Sequence, residues 1–516
     1  MSTAFISRKT RYNNAEQFKR NFSNEYNPTI GYVFIGNHIP YANETVADDI
    51  VYSEFNEKKI WDNMIAAKKI VGNSVELVIP RLTWTSNYTY HQYDDIVDPT
   101  ILLTQTDSAN VQPMYVINSE NNVYKCVNNN LGQPSTDEPL GQAISSQGNV
   151  ITADSYVWKY MYKVPEPSPF ESTNWIPVPT SASKIQYSAN TATAVDGELL
   201  TVVVTNPGTD YYNSEISVNV FPVACTRLTV STGADLGSIK YKMGVSGTGI
   251  QGYTYITAID AFNRYIDLSY PTDSSGGGSG NNIQVFTRTE IFGDGTGAVA
   301  NTILANTGIY DIKLSSYGSG YNYANVVVYG TGTGVESRVI LPPKYGHSFN
   351  SARELGAYST MVNMYFGEIG TSEIISSNIA FRQYGILCDP HLYGSTTVVA
   401  NASSVITQTT EVTVLSGTSQ FSKNEFVYQG NINSPTFSGI VSEENSNIVY
   451  LTNVKGTISI PSVLKGANTN LSGRTTLSIT YPEFEPYTGY ILYTQNILPI
   501  QRDNEQFENI KFVVKF

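Results

Sequence analysis

GYILYTQNILPIQRDNEQFENIKFVVKF, residues 489–516, is the stretch whose reading decides the fold. It ends with Ile510, Phe512, Val514 and Phe516 on one face of an alternating pattern and Lys511, Val513 and Lys515 on the other. An apolar strand reaching the last residue gains stability only when a sheet clamps it, so this segment is expected to complete a core begun elsewhere. Its partners are expected in the first third of the chain and around residues 381–390.

Composition sets the class. A chain of 516 residues suggests two to four folding units. With 41% hydrophobic, 15% charged, 37 Tyr and 40 Gly, it reads as β-rich, with surfaces covered by Tyr, Asn, Ser and Thr rather than by ion pairs. A formal net charge of -13 works against phosphate-backbone binding, which needs Lys and Arg to displace counterions, so no nucleic-acid partner is expected. The basic cluster of Arg8, Lys9, Arg11, Lys19 and Arg20 reads as a solvated or partner-facing arm. The three cysteines, Cys126, Cys225 and Cys388, lack the spacing of a zinc ribbon or a disulfide framework. The start MSTAFISRKTRYNN lacks the apolar core of a signal peptide, and no run of apolar residues is long enough to span a bilayer. A soluble product made in a reducing cytoplasm is expected, with no membrane partner.

All four tryptophans fall at or before Trp175, while the densest Gly, Ser and Thr follow them. That split suggests a framework with additions. In EFNEKKIWDNMIAAKKI, Ile60, Trp61, Met64 and Ile65 recur at helical spacing before Gly72; VELVIPRLTW and YVINSENNVYKCV then read as strands. YVWKYMYKVP sets Tyr156, Trp158, Tyr160, Tyr162 and Val164 on a core face, with Val157, Lys159, Met161 and Lys163 on a mixed face open to solvent or a partner. The middle carries an internal repeat: Val202 matches Ile312, Gly208 matches Gly318, Tyr211 matches Tyr321 and Val218 matches Val328. The glycine signatures GDGTGAV and GTGTGVE follow the two copies, the first delayed by an insertion at about 222–290 with a glycine-rich tip. A second β module is read at 396–480. Between the modules, Ser351 and Glu354 form a capping-box pattern before a short helix, which leads into a strand through Met361 and Met364.

Few side chains are spaced for chemistry. His38, His91, His347 and His391 have no second histidine or cysteine at ligand spacing, so no metal site is expected. The glycine clusters lack the Lys-Ser/Thr ending of a phosphate loop, and no nucleophile elbow occurs. The carboxylates Asp94, Asp95 and Asp98 cluster, as do Glu483 and Glu485, and could in principle supply an acid and nucleophile pair, but acidic loop clusters are usually just solvated. No catalytic residue and no cofactor is therefore expected.

Several framework segments, taken in order, are similar to one family: IWDNM followed by VIPRLTW, then NVYKCV, YVWKYMYKVP with NWIPVP, FRQYGILCDP, and the closing segment. Together they resemble the baseplate wedge protein encoded by gene eight of T4-like contractile-tailed phages, over residues 1–188, 346–391 and 481–516. The resemblance implies a virion protein without enzymatic activity: a dimeric β-sandwich subunit of the tail baseplate that contacts other wedge proteins during tail assembly and contraction. The expected layout is framework at 1–190, a repeated region at 191–345, framework again at 346–395, the second module at 396–480 and framework strands at 481–516. The fold class is thus mainly β, a β-sandwich framework with a few short helices carrying inserted small β modules. The rival reading is a receptor- or glycan-binding tail protein, with host glycan held by Tyr-rich inserted modules. Candidate interface residues are Arg81 and Trp84 after an apolar strand, Arg382 and Gln383 beside another, and Gly278 and Gln429 at the insertion tips.

Overall fold

The closing segment supplies two strands, one to each of two sheets. The computed structural model describes residues 6–23, 29–97, 111–141, 149–180, 194–220, 223–273, 282–366, 379–417, 420–468, 473–501 and 508–516. The chain is mainly β, with three α-helices among the described residues. It divides into two units: residues 1–78, 169–171 and 357–516 form unit 1, and residues 79–168 and 172–356 form unit 2.

In unit 1 a five-stranded antiparallel sheet runs in the order Val405–Thr407, Met64–Lys69, Gly31–Gly36, Ala380–Cys388, Tyr490–Gln501. The Ser359–Phe366 strand lies between the first part of Val75–Pro80 and the final strand, Glu508–Lys515, in a second sheet. The last strand therefore pairs with Ser359–Phe366, and residues 380–388 receive the strand before it. Among the described residues neither pairs with the first third of the chain, contrary to expectation, because the N-terminal strands Gly31–Gly36 and Val75–Pro80 are already paired with Ala380–Cys388 and Ser359–Phe366. The two sheets share a core of Val33, Ile35, Val362, Phe366, Phe381, Ile386 and Phe512, which makes this part a sandwich. Phe512 is stacked on Tyr493 at 5.5 Å and 2°, and its ring lies 5.1 Å from Tyr384, so three aromatics join the sheets.

The far face of the five-stranded sheet is covered by Ile60, Trp61 and Phe484 packed on Tyr32, Phe34 and Leu387. The helix supplying Ile60 and Trp61 spans Glu54–Asp62, shorter than its apolar spacing suggests. Asn63 ends it, and Met64–Lys69 becomes a strand because its backbone pairs with Gly31–Gly36. Tertiary pairing overrides a modest helical preference here. The basic N-terminal cluster is also a packed element: the Arg8–Ser23 helix buries Tyr12, Ala15, Phe18 and Phe22, while Lys19 pairs with Glu76 and Arg20 with Glu16. Residues 410–480 form a closed six-stranded barrel around Val412, Val427, Phe437, Val441 and Leu451. Its structural start is Thr410, because Val405–Thr407 pairs with Ala66–Lys68 of the framework sheet.

Unit 2 contains the repeat, and the two copies exchange strands. Thr201–Thr209 of the first copy pairs with Thr333–Ile340 of the second, while Gly308–Ser319 of the second pairs with Thr296–Ala305 of the first. The matching glycines show the same geometry. Gly208 and Gly318 both sit at φ 63°, and a Cβ at either would meet a carbonyl oxygen on the opposite strand, Thr333 O at 2.6 Å or Thr296 O at 2.5 Å. A side chain is excluded there on conformation and on space. The inserted module is a six-stranded sheet with its own core of Leu228, Met243, Ile266 and Val285, and it draws in Ser214–Val220 from the first repeat. Its structural boundary therefore lies upstream of residue 222.

A four-stranded sheet completes unit 2, with Asn122–Asn128 and Val157–Lys163 at its centre. Tyr156, Trp158 and Tyr162 are buried as the alternation requires, but so are Lys159 and Met161 on the face read as open. That second face is covered, and its lysines bind carboxylates of the repeat region and of the short Ser351–Glu354 helix. This bonding explains why residues 79–168 belong with 172–356 rather than with a continuous framework to 190. The helix itself is capped by Asn350, whose side chain accepts from the Arg353 N–H; Ser351 and Glu354 are buried instead of forming a capping box.

Phe512 tests the role of the closing strands. Phe512→Ala should cost about 3–5 kcal/mol, the usual penalty for emptying a packed aromatic site. Deleting residues 510–516 should abolish cooperative melting of unit 1, because it removes the register from Met364 to Ser359. Soluble truncated protein with unchanged melting in differential scanning calorimetry overturns this account.

Candidate interaction site

Two polar centres stand out, one in each unit. In unit 2, Lys125 and Lys159 face each other directly across neighbouring strands, and both are fully buried. Like charges in that position repel unless each has a counter-ion. Lys125 Nζ lies 2.5 Å from Glu354 Oε2 and 2.5 Å from His347 Nδ1, and Lys159 Nζ lies 3.8 Å from Glu198 Oε2. The Tyr93 ring is 4.3 Å from Lys125 Nζ and meets His347 edge-on.

Burial and the Lys125 charge lower the His347 pKa from 6.5 to about 3, so the imidazole is neutral and accepts from the ammonium. Burial lowers both lysines and raises Glu198, opposed in each case by the partner's charge. Burial alone would raise Glu354, but the Lys125 charge beside it holds it below its ordinary value. A neutral imidazole beside an ammonium and a carboxylate could move a proton, yet these side chains are at most 3% exposed. In this state the cluster joins the aromatic sheet to the repeat region and to residues 347–354. The sequence signal for it was a lysine inside each aromatic strand, NVYKCV and VWKYMYK, which reads more easily as an outward face.

In unit 1 the centre is Arg382, on the strand between Gly31–Gly36 and Tyr490–Gln501. Its guanidinium donates from Nε to both Glu44 oxygens at 3.1 Å, from Nη2 to Glu44 Oε2 at 2.9 Å and from Nη1 to the His38 carbonyl at 2.7 Å. Tyr41 Oη donates to the Arg382 carbonyl at 2.8 Å. Arg382 thus pins the 37–44 loop onto the sheet, a charge-assisted clamp that lowers the Glu44 pKa through its hydrogen bonds. The same loop reaches the barrel: the His38 ring nitrogens lie 2.7 Å from Asn424 Oδ1 and 2.7 Å from Thr452 Oγ1, and burial lowers its pKa to about 4. Gln383 Nε2 donates to Asn496 Oδ1 on the neighbouring edge strand.

Arg382 and Gln383 therefore do buried hydrogen-bonding work and do not face outward. Gln429 is also buried, at 1% exposure. Its strand, Phe426–Asn431, turns it into the barrel, where its amide bonds both backbone groups of Ser459. It is thus not a surface tip. Trp84 is half-buried, donating to Ser135 Oγ at 3.3 Å and packing against the Tyr90 and Trp158 core. Arg81 is half-buried, and its backbone N–H bonds the Asn174 carbonyl. Gly278 lies outside the described residues. Of the acidic clusters, Asp94 and Asp95 are both bound by Arg338, Asp98 lies outside the described residues, and Glu483 and Glu485 accept from the Thr407 and Gly394 N–H groups. Among the described residues no group of three His, Cys, Asp or Glu is placed to hold a metal ion, and no helix is long and apolar enough to cross a membrane.

The surface feature that sequence reading missed is apolar. Tyr490–Gln501 is the outermost strand of its sheet and exposes Tyr490, Leu492, Leu498 and Ile500. Beside Ile491 and Leu492, a groove of about 310 Å³ is bounded by residues 50–53, where Val51 is 67% and Tyr52 85% exposed; Phe55, one turn on, is 73% exposed. A strand that is outermost among the described strands and carries an apolar margin is a template for another chain.

Removing one partner from the lysine cluster separates its ionic part from packing. Lys125→Met should cost about 3–5 kcal/mol by stranding Glu354, and adding Glu354→Leu should recover much of it. Between pH 6.5 and about 3 the unfolded chain holds a proton on residue 347 that the native chain lacks, so stability should fall as pH is lowered through this window. His347→Gln should flatten that slope in pH-dependent melting, and an unchanged slope contradicts the neutral imidazole. Neither a protein-family model nor a curated protein matches the chain.

Proposed function

We propose that the chain is a structural subunit of the baseplate wedge of a contractile-tailed, T4-like phage, working through protein contacts as a homodimer within each wedge. The observation that carries this reading is the outer Tyr490–Gln501 strand with the exposed Val51, Tyr52 and Phe55 beside it. The ordered resemblance of the framework segments supports it. Both polar centres described above are committed to internal bonding, which suits a rigid part that holds its shape while neighbours rearrange. Its partners are other wedge proteins and its location is the virion tail, assembled in the host cytoplasm; the work is mechanical and no catalysis is assigned. Strand pairing and apolar packing along this margin are the contacts through which a second copy would dock, and a stable interface buries about 800 Å² per partner.

A second reading, contact with host glycans, is favoured by the inserted module of unit 2, which exposes Tyr241, Tyr253, Phe262 and Tyr270. Aromatic rings of this kind stack on sugar faces. The barrel at 410–480 carries no exposed aromatic of comparable size among its described residues, so this reading rests on the first module.

Two measurements test the proposal. Mass spectrometry of purified tails should find the chain at fixed stoichiometry with other baseplate subunits; its absence from tails removes the idea. Leu492→Glu with Leu498→Glu should convert a dimer to a monomer in light scattering while leaving melting nearly unchanged, because both side chains are already exposed.

A further inference from the structure

Beneath the 37–49 loop of unit 1 lies a polar cavity of about 230 Å³, far above the roughly 10–15 Å³ that a single water needs. Two amide side chains in its lining, Gln383 and Asn63, are each 7% exposed, and the buried oxygens Gln383 Oε1 and Asn63 Oδ1 find no hydrogen-bond partner among the described residues. Amide oxygen and nitrogen are hard to tell apart by shape alone, but the surrounding bonds fix them here. The Asp48 carbonyl can only accept, so Asn496 turns its Nδ2 to it, at 2.9 Å. Asn496 Oδ1 then accepts from Gln383 Nε2 at 2.8 Å, which leaves Gln383 Oε1 as the free acceptor. Likewise Asn63 Nδ2 donates to the Lys59 carbonyl at 2.9 Å, so its free atom is also an oxygen.

Asp48 and Asp49 share the lining, and Ile60 and Tyr41 give it an apolar side. Lys59 is the one cation of the lining among the described residues, and it is exposed. Two buried neutral acceptors in a cavity that two aspartates also line call for a group that donates several hydrogen bonds, accepts none and carries positive charge on an alkyl stem. From this geometry we infer that the cavity binds an alkyl-guanidinium or alkyl-ammonium head. The source is either a free small amine or the Arg or Lys side chain of a neighbouring protein. This inference does not depend on which particle the chain belongs to.

Calorimetric titration of the full chain with n-butylguanidinium, against its neutral isostere n-butylurea, tests it. Saturable binding of the cation, at least tenfold tighter than that of the urea and weakened by 0.5 M salt, is expected, since hydrogen bonds to a charged donor are the stronger kind. Asp48→Asn with Asp49→Asn, at exposed positions that leave folding intact, should weaken the cation about tenfold, and Gln383→Met should weaken it similarly. Equal binding of the urea, no saturable binding, or variants indistinguishable from the parent would each overturn the inference and leave a merely hydrated cavity. Native mass spectrometry of the purified chain separates the sources: a retained small amine identifies a free ligand. Bare protein that binds butylguanidinium identifies a basic side chain, which carbodiimide should then crosslink to Asp48 or Asp49 when that side chain is a lysine.

Discussion

The aromatic contact of Phe512 with Tyr384 and Tyr493 is the constraint on which unit 1 depends. It joins the last strand of one sheet to the last two strands of the other, and all three rings lie in segments far from the N-terminal strands they stabilise. Neither sheet is complete from the first 78 residues alone: Gly31–Gly36 needs Ala380–Cys388, and Val75–Pro80 needs Ser359–Phe366. Pairings of such sequence separation carry a large loop-closure cost, which rises only slowly with loop length. That weak dependence is why a barrel can be inserted between Ala380–Cys388 and Tyr490–Gln501 without dismantling the sheet.

Unit 2 solves the same problem with charge. Its aromatic sheet and its repeat are held by two lysines opposite one another, tolerated only because Glu354, His347 and Glu198 arrive from elsewhere in the chain. A hydrophobic replacement of similar volume is often no less stable than a buried ion pair. The value of the cluster lies in specificity: misdocking the repeat leaves buried ammonium groups without counter-ions, a costlier error than shifting one apolar face over another. The exchanged strands act in the same direction, since neither copy of the repeat can close its pairing without the other.

How much of this was legible in the sequence follows from which interactions are local. The mainly β class, the existence of the closing strand, the buried Tyr156, Trp158 and Tyr162 and the paired glycines at 208 and 318 all leave marks of alternation or turn chemistry, whereas the closing strand's partner, Ser359–Phe366, and the cover over Lys159 and Met161 lie in distant segments. Met64–Lys69 was misread as helix because its pairing partner is some thirty residues away and its local spacing satisfies both periods. Lys159 reads as outward because polar residues inside strands usually face water, and Gln429 reads as a surface tip because inserted loops do; each instead finds a buried partner in another segment, information that one strand cannot carry. The exposure of Val51, Tyr52 and Phe55 leaves no mark in the sequence, because nothing local distinguishes a covered apolar residue from an exposed one.

The 37–49 loop shows how the additions are kept in register with the framework of unit 1. Its residues bind Arg382 through Glu44 and the His38 carbonyl, the barrel through the His38 ring, and the outer strand through the Asp48 carbonyl. These bonds are directional and few, whereas the sheets below are joined by a broad apolar core. Apolar packing tolerates small slides at little cost, but a bidentate guanidinium and a doubly bonded imidazole do not. The loop therefore fixes where the barrel and the outer strand sit, and the core fixes only that they are attached. Because the cavity, the outer strand and the exposed residues at 51–55 all adjoin this one loop, a partner bound at any of them meets a surface whose geometry Arg382 sets from below.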